Sequence, residues 1–317
     1  MYYYRIFGLL AAAEFVFPEA RQITQLNGQE ADVTIKLGKI SFELLSHPKT
    51  QNPMGIWHYC FPDSRTSRFA FRALGIEMEV TDGERITVSP PASDSSPEKL
   101  RTLILGTAFG VIGMQRGLLP IHGAAIEAGD NAFIITGSAG SGKSTLLEFF
   151  ISRGFRYLSD DVSFVSVDGS TPFVIPAYPQ RKLAADAENL CSSRDESMLI
   201  NEDGRDKYVI RSQREWCPKK LPLGGIVELM PGRKVQDSSP YLTVAPVEGH
   251  RSLALVLNNL YRPYFYKDTG ISAAAMKKIL TAARCSRIYR AVRSIDNISP
   301  VQLGQEIMDT AINIYKK

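Results

Sequence analysis

The sequence predicts an α/β fold, a phosphate-loop core preceded by a β-rich N-terminal part, on three observations. The first is Gly137-Ser138-Ala139-Gly140-Ser141-Gly142-Lys143-Ser144-Thr145, which reads G-x-x-x-x-G-K-S. It stands between a short apolar run, Ala132 to Thr136, and a helical one, Leu146 to Arg153, closed by Gly154. The second is the pair Asp160-Asp161, sixteen residues past Ser144. The third is a series of strand-like runs over residues 1–94, broken by turn chemistry.

Size and composition narrow the reading. The chain has 317 residues, enough for two domains, with 44% hydrophobic and 22% charged residues. Lys and Arg number 37 against 33 Asp and Glu, and no dense basic stripe with interleaved aromatics occurs, so nucleic acid is not expected as a partner. Cys60, Cys191, Cys217 and Cys285 are far apart, which fits free thiols in a reducing cytoplasm better than zinc. The longest apolar window, Leu103 to Met114, is too short for a bilayer and carries three glycines, and the N-terminus lacks a signal-peptide pattern. The expectation is a cytoplasmic protein with no membrane partner, a homo-oligomer being left open.

In order, Tyr3–Phe17, Asp32–Leu37, Gly55–Phe61, Arg68–Val80 and Arg85–Val88 read as strands, with turns at Asn27-Gly28 and Asp82-Gly83. Ser89 to Pro97 is a linker by composition, so the boundary falls between domains 1–94 and 95–317. Glu98 to Arg116 is an apolar helix ended by Gly117; Gly106, Gly110 and Gly113 give it one smooth face for close packing. Ile121 to Glu127 and the loop strand form a hairpin around Ala128-Gly129-Asp130-Asn131. Val162–Val167 and Phe173–Pro179 read as strands, and Gln180-Arg181-Lys182-Leu183 leads into a helix. Cys191 to Asp206 reads as a loop, Lys207–Ile210, Leu221–Leu229 and Tyr241–Val247 as strands, and Glu248–Tyr261 as a helix. A further helix to about Ala283, a strand Ser286–Val292 and a helix capped by Ser299 with Pro300 and Gln302 complete the chain.

These elements gather chemistry at one strand edge. Glycines let the backbone N–H groups of residues 137–145 turn around phosphate oxygens, and the helix N-terminus adds positive charge. Lys143 reaches the β- and γ-phosphates, and the Ser144 hydroxyl meets Mg²⁺. Asp160 and Asp161 fall at the carboxyl end of the returning strand: one suits a metal or its waters, the other a hydroxyl proton. A hairpin register near Ile126–Ala132 sets His122 opposite Gly137, where an imidazole can carry charge or donate a hydrogen bond. Arg181 and Lys182 lie near the site in chain order, and Arg181 and Lys207 are candidate phosphate contacts, because phosphoryl transfer needs cations against developing charge.

Residues 120 to 165 resemble the HPr kinase/phosphorylase family in its C-terminal catalytic domain. The match is Ile121-His122-Gly123, then Thr136 to Ser144, Arg153-Gly154-Phe155-Arg156 and Asp160-Asp161. The resemblance implies a P-loop fold akin to phosphoenolpyruvate carboxykinase that phosphorylates a protein serine. It puts His122 at the phosphates, Ser144 and Asp160 on magnesium, and Asp161 as the base. The E-I-R-G-L-G signature of that family is missing, and Gln180-Arg181-Lys182-Leu183 stands in its place. A looser likeness, to HPr-kinase-like proteins found with lasso-peptide maturation enzymes, rests on Tyr4-Arg5-Ile6-Phe7-Gly8, Gln115 to His122 and Pro179 to Leu183. It implies ATP-dependent phosphorylation of a precursor peptide, at a C-terminal serine. Two other readings stand beside it: a small-molecule P-loop kinase, and a non-catalytic nucleotide-binding regulator of a maturation complex.

Overall fold

The computed structural model describes residues 1–40, 50–51, 56–61, 65–71, 74–90, 96–184, 198–200, 206–231, 241–263, 265–266, 270–294 and 298–312. They form two compact units, Met1–Pro120 with Tyr261–Met276, and Ile121–Leu260 with Lys277–Lys317. Composition draws its boundary after residue 94; packing groups the apolar helical stretch that follows with the N-terminal strands.

The first unit is built on a nine-stranded sheet. Its strands are β1 (Tyr2–Ile6), β2 (Leu9–Ala13), β3 (Arg21–Gln22), β4 (Val33–Leu37), β5 (Thr50–Gln51), β6 (Ile56–Phe61), β7 (Thr66–Phe71), β8 (Ile76–Thr81) and β9 (Arg85–Val88), in the order β3-β1-β2-β4-β9-β8-β7-β6-β5. The run Tyr3–Phe17 is a hairpin rather than one strand, because Phe7 and Gly8 both take positive φ, 49° and 74°. Arg68–Val80 likewise divides into β7 and β8, paired antiparallel. Helix α1 (Pro97–Leu103) starts at Ser96, whose side chain accepts from the Lys99 N–H with Pro97 in the first turn. A π turn, Ile104–Ala108, carries it into α2 (Phe109–Gln115). A Cβ on Gly106 or Gly110 would lie 3.0 Å from the Tyr261 side chain, so the smooth face is where that side chain packs.

The second unit holds an eight-stranded sheet. The strands from β10 to β14 are β10 (Leu119–Ala128), β11 (Asn131–Gly137), β12 (Tyr157–Ser159), β13 (Val162–Asp168) and β14 (Thr171–Ile175), with α3 (Lys143–Ser152) between β11 and β12. A separate three-stranded antiparallel sheet contains β15 (Gln180–Ala184), β16 (Met198–Ile200) and β17 (Asp206–Arg211), in the order β15-β17-β16. Then come β18 (Leu221–Pro231), β19 (Leu242–Pro246), α4 (His250–Asn258), α5 (Ala273–Cys285), β20 (Arg287–Arg293) and α6 (Pro300–Ile307). The large sheet runs β11-β10-β13-β14-β18-β20-β19, and β18 also pairs with β11, so five strands close on themselves. Strands β11, β18 and β20 are parallel, which puts their carboxyl ends on one edge. Gln180–Leu183 belongs to a strand here; the helix expected after it, and most of the loop expected from Cys191, fall outside the described residues.

The core of this unit packs against one face of the parallel strands. Phe133, Ile135, Leu147, Phe150, Val227 and Leu303 are all fully or nearly fully buried in it, each contributing roughly 1.5–3 kcal/mol. Helix α6 opens with a capping box at Ser299 and Gln302, and a Cβ on Gly304 would overlap the Phe149 ring of α3. That contact holds the loop helix against the core. Among the described residues no helix is long and apolar enough to cross a membrane.

Candidate active site

The site begins where β11 ends. Gly137, Gly140 and Gly142 adopt φ of 138°, 79° and 99°, backbone that only glycine takes without strain, and Gly142 is the N-cap of α3. A Cβ on Gly137 would stand 2.5 Å from the Leu229 carbonyl oxygen, so β18 also requires glycine there. Ser141 Oγ is buried in the loop with no hydrogen-bond partner among the described residues. The Lys143 ammonium donates to the carbonyls of Gly137 (2.8 Å) and Ser138 (3.0 Å), curling over the loop. Burial lowers its pKa, against the opposing charges of Asp161 and Asp160. Ser144 and Thr145 follow on the first turn of α3, partly exposed.

The hairpin carries the second part. Strands β10 and β11 pair from Ala128–Asn131 to Gly123–Thr136, which brings His122 level with Gly137 one position on. Ile126 faces Phe133, one residue from the register expected, and it is this register that sets His122 opposite Gly137. Three contacts fix the His122 backbone: its N–H donates to Asn259 O (2.8 Å), its carbonyl accepts from Thr136 Oγ1 (2.6 Å), and Thr136 Oγ1 also meets Asn259 Oδ1 (3.0 Å). Asn259 Nδ2 donates in turn to Glu228 Oε1 at 2.8 Å. A Cβ on Gly123 would lie 2.6 Å from Ile135 O, so β10 can pass this close only as glycine.

Asp160 and Asp161 form the turn between β12 and β13. The Gly123 N–H donates to Asp161 O (3.0 Å), and Ser163 Oγ, 2.6 Å from Ser159 Oγ, donates to Gly123 O (2.8 Å). This knot brings Asp161 Oδ1 to 3.5 Å from His122 Nδ1. Asp160 Oδ2 accepts from the Lys182 N–H of β15 at 2.7 Å.

The two carboxyls have opposite proton affinities. Burial lifts Asp160 to about 6, helped by the neighbouring Asp161 charge and opposed by the Lys182 N–H. Partial desolvation by the surrounding protein also pushes Asp161 up, but the positive charges of His122, Lys182, Lys207 and Lys143 outweigh it and hold that carboxyl below its usual range. Its side chain is 58% exposed, so it sits among cations yet opens to solvent.

The structure brings His122, Lys143, Asp160, Asp161 and Lys207 into one electrostatic cluster beside the loop. Arg181 is elsewhere. It is 1% exposed, bound to Glu148 and at 2.7 Å to Glu215, with its guanidinium over the Tyr157 ring. Its neighbour Lys182 supplies the charge instead, because successive strand residues point to opposite faces. Lys182 and Lys207 share a face, since Lys182 pairs with Val209. Asn259 and Ser163 had no local signal; each acts through a partner far along the chain, Asn259 on His122 and Thr136, Ser163 on Gly123. Among the described residues no group of three or more His, Cys, Asp or Glu forms a metal cage.

No family model matches the chain. The HPr kinase/phosphorylase of Xanthomonas campestris pv. campestris (strain B100) is 26% identical over 193 residues, 57% of this chain and 59% of that protein. The one from Xanthomonas euvesicatoria pv. vesicatoria (strain 85-10) is 29% identical over 178 residues, 51% of this chain and 54% of that protein. Over that stretch the chain is similar to HPr kinase/phosphorylases. It spans less than three-fifths of the length of these curated relatives. The solved Hpr(Ser) kinase/phosphatase from Coxiella burnetii covers 62% of this chain and 97% of its own, at 11% identity and a TM-score of 0.30, too loose an overlap to weigh.

Proposed function

We propose that this chain is an ATP-dependent kinase that transfers the γ-phosphoryl group to a serine hydroxyl, with Asp160 as the base. The observation that carries the reading is the adjacent carboxyl pair set beside the phosphate loop, Asp160 held by the Lys182 N–H and Asp161 facing His122, and the opposed directions of their proton affinities support it. A base works best with a pKa near the working pH, which favours Asp160 over Asp161. The sequence resemblance put the base at Asp161; the electrostatics favour the reverse.

In this mechanism loop N–H groups and Lys143 hold the phosphates, and Lys143 leaves the Gly137 and Ser138 carbonyls to do so. The incoming serine Oγ forms a bond to the γ-phosphorus as the bond to the β–γ bridging oxygen breaks, and ADP leaves. The serine proton passes to an Asp160 oxygen. His122, Lys182 and Lys207 steady charge on the transferring group. The ionised, open Asp161 and the Ser144 hydroxyl are hard oxygen donors that fit Mg²⁺, an ion held by one or two carboxylates plus phosphates. Bound there, Mg²⁺ would neutralise phosphate charge.

The acceptor is proposed to be a ribosomally made precursor peptide of the lasso type, at a C-terminal serine, on the strength of the looser sequence resemblance. The test is label transfer from γ-labelled ATP with Mg²⁺ to a panel of peptides ending in serine, alanine or a serine amide. Phosphoserine on the serine-ending peptides alone is expected. Tight ATP binding without transfer to any peptide would favour the regulator reading, and label on metabolites the small-molecule one.

A further inference from the structure

Arg293 is the cation that sequence reasoning passed over. It ends β20, opposite Pro231 of β18, while Gly137 of β11 lies opposite Leu229. Counting across the parallel register, Arg293 stands two residues beyond the level of Gly137, at the carboxyl edge where ligands of open α/β sheets bind. It reaches back to the loop: a Cβ on Gly142 would be 3.5 Å from Arg293 Nη2. The one hydrogen bond of its guanidinium among the described residues runs from Nη1 to Ile298 O, at a long 3.3 Å, and no carboxylate among them pairs with it.

This placement runs against ordinary electrostatics. Gly142 is the N-cap of a ten-residue helix, whose N-terminus already carries partial positive charge. The Lys143 ammonium sits on the same loop. A guanidinium gains nothing there unless an anion lies between the three. It is also the side chain best shaped for two parallel hydrogen bonds to a phosphoryl group.

We propose that Arg293 donates to a phosphoryl oxygen of the bound nucleotide, from the side of the loop fed by β20. This rests on the nucleotide reading of the loop and not on the identity of the acceptor. The expected partner is the polyphosphate chain rather than the base or sugar.

The test compares wild type with Arg293→Gln and Arg293→Lys by calorimetry against Mg·ADP and Mg·tripolyphosphate, with circular dichroism melts as the fold control. A charge-assisted hydrogen bond predicts roughly tenfold weaker binding of both ligands by the Gln variant. The Lys variant keeps charge but not the fork, and is expected to lie between. Unchanged tripolyphosphate binding in Arg293→Gln would overturn the proposal, even if ADP binding weakened, since that pattern marks a base or sugar contact. Wild type that binds neither ligand would overturn both this and the nucleotide reading. Wild type that binds both but transfers no phosphate would sink only the kinase reading.

Discussion

From Gly137 to Thr145 the site takes its shape from neighbours in sequence; at Asp160 and Asp161 it takes its chemistry from residues far along the chain. The loop needs three glycines at positive φ and a helix start, all written within nine residues. The carboxyl pair needs Lys182 of β15 to hold Asp160, and His122 of β10 with Lys207 of β17 to keep Asp161 charged. On the proposed function the two halves have different duties: the loop grips, and the carboxyl edge turns over.

Substitutions should separate those duties. The largest effect is expected from Asp160→Asn, a fall of roughly 10²–10⁴ in kcat with the ATP affinity kept, read by label transfer beside calorimetry. Lys143→Ala should instead weaken ATP binding, by about tenfold or more, and transfer with it. Loss of ATP affinity in Asp160→Asn would blur the division between grip and turnover.

The carboxyl edge also sets two pH dependences. A base must be unprotonated, so kcat/KM should fall about tenfold per pH unit below about 6 and level off above it. Stability moves the other way. Asp160 is raised above its unfolded value near 4, so the folded state holds the proton more tightly across that window. Its contribution is present below the unfolded pKa and is lost as pH rises through about 6. Denaturant melts of Asp160→Asn from pH 4 to 7 should show a flatter profile than wild type. The smallest effect on chemistry should come from Gly304→Ala, which overfills the α3–α6 contact; about 1–3 kcal/mol of stability should go while KM for ATP stays.

The same contrast explains what could be read from the sequence. The loop, its strand and helix, the hairpin and the position of His122 were legible because each is local: a glycine pattern, a turn, a ladder counted in residues. Helix caps at Ser96 and Ser299 were equally local. What escaped was tertiary. Arg181 and Lys182 are adjacent and alike in sequence, yet the strand's alternation buries one against Glu148 and Glu215 and turns the other to Asp160 and Asp161. Nothing near Asp160 announces that burial will lift it while Asp161 is held down. The split of residues 3–17 into a hairpin turned on Phe7, a non-glycine residue at positive φ that carries no turn signature.

The most direct measurement is transfer of γ-label from ATP to a serine-ending peptide by wild type, Asp160→Asn and Asp161→Asn, each at pH 5 to 8 and at several Mg²⁺ concentrations. The account predicts that Asp160→Asn lowers transfer by roughly 10²–10⁴ at every Mg²⁺ level, and that Asp161→Asn keeps the pH profile but needs more Mg²⁺. Wild-type rates from Asp160→Asn, with the fall below about pH 6 intact, would contradict it.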